Sequence, residues 1–124
     1  METLTPKDIV EAYLDASIHH DYRRARAYLA DEGFLYVAPI NRFQSADDFI
    51  AYAELASPVV QRVEICKVFV DGNDVCHILE VTSQISEKRS NRLVMWARVE
   101  GSRIKRLEMI FDAHEYRNLF VVEE

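Results

Sequence analysis

Residues that punctuate or cross-link a chain are scarce in this sequence: its 124 residues include only 3 Gly, 3 Pro and 2 Cys. No stretch is of low complexity, and no linker separates one part from another. No apolar run approaches the ~20 residues that a membrane-spanning helix needs. The opening residues Met1 to Asp8 mix Glu, Lys and Asp, unlike the apolar core of a signal peptide, so the expected address is cytoplasmic and the two cysteines are expected as reduced thiols. Positive charge is in deficit, with 15 Lys+Arg against 21 Asp+Glu and a net charge of −6. Phosphate backbones repel such a chain unless its basic residues gather on one face. The two basic clusters, Arg23-Arg24-Arg26 and Lys88-Arg89, stand near acidic residues, so neither nucleic acid nor membrane is expected as a partner. What is present is ordinary globular material, 49% hydrophobic and 29% charged, of a length for one domain over residues 1–124.

The first third has helical periodicity. Thr5-Pro6-Lys7-Asp8 supplies a capping hydroxyl, a proline for the first turn and an acid three residues past the cap. Ile9, Tyr13 and Ala16, flanked by Val10, Leu14 and Ile18, then make an apolar stripe. His19-His20 closes this helix. Asp21 caps a second, with Tyr22, Ala25 and Leu29 as its stripe and Asp31-Glu32-Gly33 as its stop. Phe34 to Val37 is a short β-rich run closed by Pro39, and Ser45 with Asp48 caps a third helix that ends at Ser57-Pro58. From Val59 the period is that of strands: Val59–Val70, Val75–Ile85, Leu93–Glu100 and Arg103–Asp112. Asp71-Gly72-Asn73, the polar stretch Ser86 to Asn91 and Gly101-Ser102 are too short for parallel crossovers, so these runs form consecutive antiparallel hairpins. Helices followed by a meander define an α+β class, and a sheet curling around its helices opens a cavity between them. Cys66 and Cys76 are equally far from Asp71 along the chain, which suggests an approach across the first hairpin.

Three stretches, in this order, resemble the SnoaL-like members of the nuclear transport factor 2-like superfamily. They are Ile9-Val10-Glu11-Ala12-Tyr13 followed by His20-Asp21; Val37-Ala38-Pro39 leading to Phe43 and the helix after Ser45; and Arg103 to Asp112. The resemblance implies a strongly curved antiparallel sheet wrapped around three helices, a cone-shaped barrel with an apolar pocket, often dimeric through the sheet. It does not imply one activity, because the superfamily holds isomerases, hydrolases, cyclases and binding modules.

Carried over position by position, the active sites of these relatives lose their charged groups. Tyr13 falls at the ketosteroid-isomerase-like tyrosine, but Ala38 stands where the catalytic aspartate belongs and Met95 where the oxyanion-holding acid belongs. Neither alanine nor methionine transfers a proton. Against the limonene-epoxide-hydrolase-like pattern, Tyr36 matches the water-holding tyrosine, Ala38 replaces the asparagine, and Leu79, Val81 and Met109 replace charged residues. Met109 also stands at the cyclase aspartate.

The same register points Val75, His77, Leu79 and Val81 into the cone, with Met95, Ala97, Leu107, Met109 and Phe111 on neighbouring strands. His77 is a candidate general base near neutrality, or a histidine satisfied by a backbone carbonyl or a tyrosine. Tyr13 and Tyr36 are candidate hydroxyl donors. Phe49 and Tyr52 are lid or core residues. His19-His20-Asp21 lacks the i,i+4 spacing of a metal-binding helix, and His114-Glu115 with Asp112 is too sparse a set, so no metal and no cofactor are expected. Trp96 and Val94 face outward, which suggests a homodimer through the convex sheet face. The apolar tail, residues 116–124, is expected to dock on the sheet or a partner.

The expectation is thus a pocket for a small apolar molecule, lined by Tyr13, Tyr36, Ala38, Phe49, His77, Leu79, Val81, Met95, Leu107, Met109 and Phe111. The alternatives are an isomerase- or cyclase-type enzyme moving a proton on a carbonyl compound with His77 as base and Tyr13 and Tyr36 polarising the oxygen, and a dimerisation module with a filled cone.

Overall fold

A computed structural model describes residues 4–56, 58, 60–84 and 88–112. The elements run α1 (Pro6–Ile18), α2 (Tyr22–Ala27), β1 (Leu35–Val37), β2 (Arg42–Phe43), α3 (Ala46–Ala56), β3 (Val60–Asp71), β4 (Asp74–Gln84), β5 (Lys88–Glu100) and β6 (Arg103–Ile110). One curved, open six-stranded sheet has the order β2-β1-β6-β5-β4-β3.

The capping box forms at the start of α1: Asp8 N–H donates to Thr5 Oγ1 and Thr5 N–H donates to Asp8 Oδ2, both at 3.1 Å. These bonds, the one from the Thr5 backbone first, hold the Asp8 carboxyl below its ordinary pKa. The far end of α1 is a Schellman motif. Asp21 N–H reaches back to Ala16 O (2.8 Å) and His20 N–H to Ser17 O (3.1 Å). The left-handed residue this motif needs is usually glycine; here it is His20, at φ 59°.

The meander owes its register to two turns with two central residues. Gly101 and Ser102 both have positive φ, the signs of a type I′ hairpin turn, whereas at the first hairpin only Gly72 does, as a type II′ turn requires. β4 and β5 pair without interruption from Asp74↔Arg98 to Gln84↔Lys88. Both sheet edges are poor templates for a further strand. β2 has only two residues, and β3 is interrupted between Val60 and Arg62 and between Ile65 and Lys67.

α1 lies across the concave face and buries Ile9, Val10, Tyr13, Leu14 and Ala16 against it. The core continues through Leu29, Phe34, Val75, Leu79, Leu93, Met95, Ala97, Val99, Ile104 and Leu107. Arg26 ties the helical layer together: Nε donates to Asp47 at the start of α3 (2.7 Å), Nη2 to Asp31 (2.9 Å) and Nη1 to Leu29 O (3.1 Å).

Several details differ from the sequence reading. α2 ends at Ala27, before Leu29, because the chain there is drawn into a parallel bridge: Ala30 N–H donates to Ile104 O (2.9 Å) and Ile104 N–H to Tyr28 O (2.8 Å). The sheet is mixed rather than wholly antiparallel, since β1 joins parallel to β6 (Tyr36↔Leu107) and β2 folds back on β1. β5 begins at Lys88, inside the polar stretch read as a turn. Its first residues are held by the backbone ladder, and Ser90 adds a hydroxyl pair with Thr82 (2.9 Å). In β6 an extra residue between the pairs Val99↔Ile104 and Arg98↔Arg106 shifts the alternation, so Ile104 and Leu107 share the buried face. Cys66 and Cys76 are both free and do not oppose one another. Cys76 pairs with Phe69, while Cys66 sits in the Ile65/Lys67 irregularity. The expectations for residues 116–124 and for His114-Glu115 lie outside the described residues.

Candidate functional site

A cavity of about 280 Å³, partly open to solvent, lies between the C-terminal half of α1, α3 and the concave sheet face. Its position follows from where helical cover stops. α1 covers one end of the sheet, and the cavity opens toward the other, near the start of β3 and the finish of β4. Strand alternation turns Leu79 and Val81 of β4 and Leu93 of β5 toward this space, and Leu107 and Met109 of β6, with Phe111 just after it, border it from the other side. Leu14 and Ile18 face it from α1.

An aromatic wall closes another side. Tyr36 stacks on Phe49 with ring centroids 4.3 Å apart, and Phe43 bridges Tyr36 (5.9 Å) and Tyr52 (5.2 Å). Phe34 supports Phe49 from behind at 5.8 Å. Tyr36, Phe49 and Tyr52 line the cavity itself.

The polar groups of the lining are hydroxyls, amides and two residues able to carry positive charge. Burial pushes the Tyr13 pKa up to about 12, with the nearby Ser17 hydroxyl opposing the shift. Burial also raises that of Tyr36, with the nearby Tyr13 and Tyr52 adding to it. Both are therefore neutral hydrogen-bond donors at physiological pH. His20, Gln61 and Arg62, all exposed, edge the opening, and His20 Nδ1 lies 3.2 Å from the Tyr22 hydroxyl. Asn41 also lines the cavity, and its Oδ1 is buried without a hydrogen-bond partner among the described residues. Among the described residues, no Asp or Glu lines the cavity, and no group of three or more His, Cys, Asp or Glu comes together to hold a metal.

Of the residues singled out from the sequence, Tyr13, Tyr36, Phe49, Leu79, Val81, Leu107, Met109 and Phe111 border the cavity; Ala38, His77 and Met95 do not. Met95 is buried beside His77 in the β4–β5 ladder, and Ala38 is half-buried in the turn after β1. His77 lies toward the other end of β4, fully buried, with Nε2 3.1 Å from Glu11 Oε2 of α1. Its Nδ1 has no partner among the described residues. That arrangement suits a ring whose Nε2–H donates to the carboxylate, because a hydrogen on Nδ1 would be buried unmatched. The partner was invisible in the sequence, being supplied by a helix far away along the chain. Asn41, Ser17, Tyr22 and Ser83 were also missed as lining residues. An asparagine between Pro39-Ile40 and Arg42 reads as a turn former and carries no signal of its own.

Two outcomes follow from these environments. Glu11→Leu strands both nitrogens of His77 and is expected to cost about 1–3 kcal/mol in urea denaturation, while the double replacement with His77→Leu recovers most of the loss. A single loss that the double variant does not recover would show that the pair has no such coupling. The second concerns alkaline stability. Tyr13 titrates at about 12 when folded against 10.0 as its ordinary value, so its contribution is fully present below pH 10 and is lost as pH rises toward 12. Unfolding free energy should therefore fall across that window, by up to about 1.4 kcal/mol per pH unit from this group, and less steeply in Tyr13→Phe. An identical slope in the variant would contradict the assignment.

No protein-family model matches the chain, and no curated protein matches it by sequence. Solved structures do. A nuclear transport factor 2-like protein of unknown function from Cytophaga hutchinsonii superposes with a TM-score of 0.79 at 21% identity, over 97% of this chain and 99% of that one. An epoxide hydrolase of M. tuberculosis, like limonene epoxide hydrolase, gives 0.74 at 21% identity, over 86% of this chain and 81% of that one. A Catenulispora acidiphila protein with a ketosteroid isomerase-like fold, solved with trimethylamine, gives 0.75 at 16% identity over 88% of each. The helices and the curved mixed sheet are therefore those of the nuclear transport factor 2-like fold.

Proposed function

We propose that this is a SnoaL-like protein that binds a small apolar molecule in its cavity, without the charged catalytic set of its enzymatic relatives. The observation that carries the reading is the cavity wall. It is open space bordered by aliphatic and aromatic side chains with a few neutral hydroxyls and amides, the composition of a ligand site. A proton-transferring enzyme needs a base within reach of its substrate, and His77 is bonded to Glu11 away from the cavity. A dimerisation module with a filled cone needs no such space. The volume suits a molecule of roughly ten to fifteen non-hydrogen atoms. We place this activity in the cytoplasm, where Cys66 and Cys76 stay reduced.

Native mass spectrometry of the purified protein, followed by thermal shifts with a panel of small apolar compounds, tests the reading. Binding is expected, and Met109→Trp, which fills the space from a half-buried position, should abolish it while the fold survives. Turnover of a carbonyl compound that is lost in His77→Ala would favour the enzyme reading. Failure of every compound to bind would favour the filled module.

We also infer pairing through the convex face. Phe69 and Trp96 lie in one cross-strand row there, and Lys67, Ile78, Val94 and Ile110 form the next. Phe69 is 54% exposed and Ile110 48%. The Trp96 indole N–H is satisfied by Asp74 (3.0 Å) and Arg106 lies over its ring, so the tryptophan presents a fixed surface. Sedimentation should show a dimer that Phe69→Glu dissociates; a monomer at micromolar concentration overturns this part.

A further inference from the structure

The polar inventory of the cavity narrows the class of molecule it takes, given the binding role proposed above. Asn41 sits in the tight connection between β1 and β2, where Ala38 N–H donates to its carbonyl at 3.0 Å. Pro39 inside that connection fixes one backbone torsion, so the Asn41 side chain projects from a short closed loop rather than from a mobile one. Its amide oxygen is buried, borders the cavity and has no donor among the described residues. A buried acceptor left unmatched is unfavourable, and a ligand bearing an O–H restores the missing bond.

The groups that share the cavity define the rest. Tyr13 and Tyr36 offer neutral hydroxyl donors to the same cavity. Acceptor and donor together complement a single hydroxyl, which donates to one and accepts from the other. A ketone or ether oxygen accepts from tyrosine but has no hydrogen for Asn41 Oδ1. A carboxylate brings negative charge against that oxygen, and the one arginine of the lining is Arg62, exposed at the opening and 3.4 Å from Glu64. We infer that the cavity selects an uncharged apolar alcohol or phenol whose hydroxyl donates to Asn41 Oδ1, and that Asn41 is the residue that sets this preference.

Matched compounds differing only in that hydrogen provide the test. Borneol and camphor share one carbon skeleton as alcohol and ketone, and thymol with its methyl ether provides an aromatic pair. Calorimetric titration of the full chain should show each hydroxyl compound binding about tenfold more tightly than its partner, the scale of one buried hydrogen bond. Asn41→Leu should erase that difference. Asn41→Asp, which keeps an acceptor and loses the amide donor, should retain the preference, so a folding defect in the leucine variant does not leave the question open. Equal binding within both pairs, tighter binding of camphor, or a preference that persists in Asn41→Leu overturns the assignment to Asn41 while the apolar-binding role stands. If no member of either pair binds, the binding role and this inference fall together.

Discussion

The β4–β5 ladder is the constraint on which the remaining structure hangs. Its uninterrupted register fixes Val75, His77, Leu79, Val81 and Ser83 on one face of β4, opposite Met95 and Leu93 of β5. A slip by one residue would turn this whole set toward solvent and bring Cys76, Ile78 and Glu80 into the core. The irregularities lie in the outer strands instead, in β3 at the edge and in β6 where Lys105 is accommodated. The centre of the sheet is thus stiff and its margins adapt. α1 docks on the stiff part, and the cavity occupies the region that α1 leaves uncovered.

The fold was largely legible because its signals are local. The capping box at Thr5, the cap at Ser45 and the glycines at positions 72 and 101 each mark a boundary within a few residues of where it forms. What escaped is non-local. Leu29 follows a helical stripe in sequence but is claimed by Ile104, so tertiary pairing overrides local propensity. The parallel seat of β1 against β6 cannot be read from either segment alone. Polar residues from Lys88 onward look like a loop because they carry no hydrophobic alternation, whereas the backbone ladder continues through them. At the site, the aliphatic wall followed from alternation and family resemblance together. Asn41 and the Glu11 partner of His77 did not, since their significance lies in which atoms they meet.

Two polar environments show how differently the molecule treats groups taken out of water. Glu11 is itself about one-third exposed, so its carboxylate keeps some hydration while it accepts from a wholly buried imidazole. This arrangement joins the helix to the sheet at modest electrostatic expense. In the cavity the polarity is spread over neutral groups: the walls provide direction without charge, and the two residues able to carry positive charge stay at the opening. An epoxide hydrolase shares this frame, and the frame by itself does not fix an activity.

The parallel contact between β1 and β6 also has a kinetic meaning. Tyr36 and its partner Leu107 come from opposite parts of the chain, and the Leu29–Ile104 bridge has the same long span. Contacts of this kind carry a high loop-closure cost and slow folding. During synthesis, α1, α2 and the β3–β4 hairpin have their local partners early, whereas β1 has no neighbour on its β6 side until β6 leaves the ribosome. The aromatic wall built on β1 is consequently completed only after all the other strands have been made.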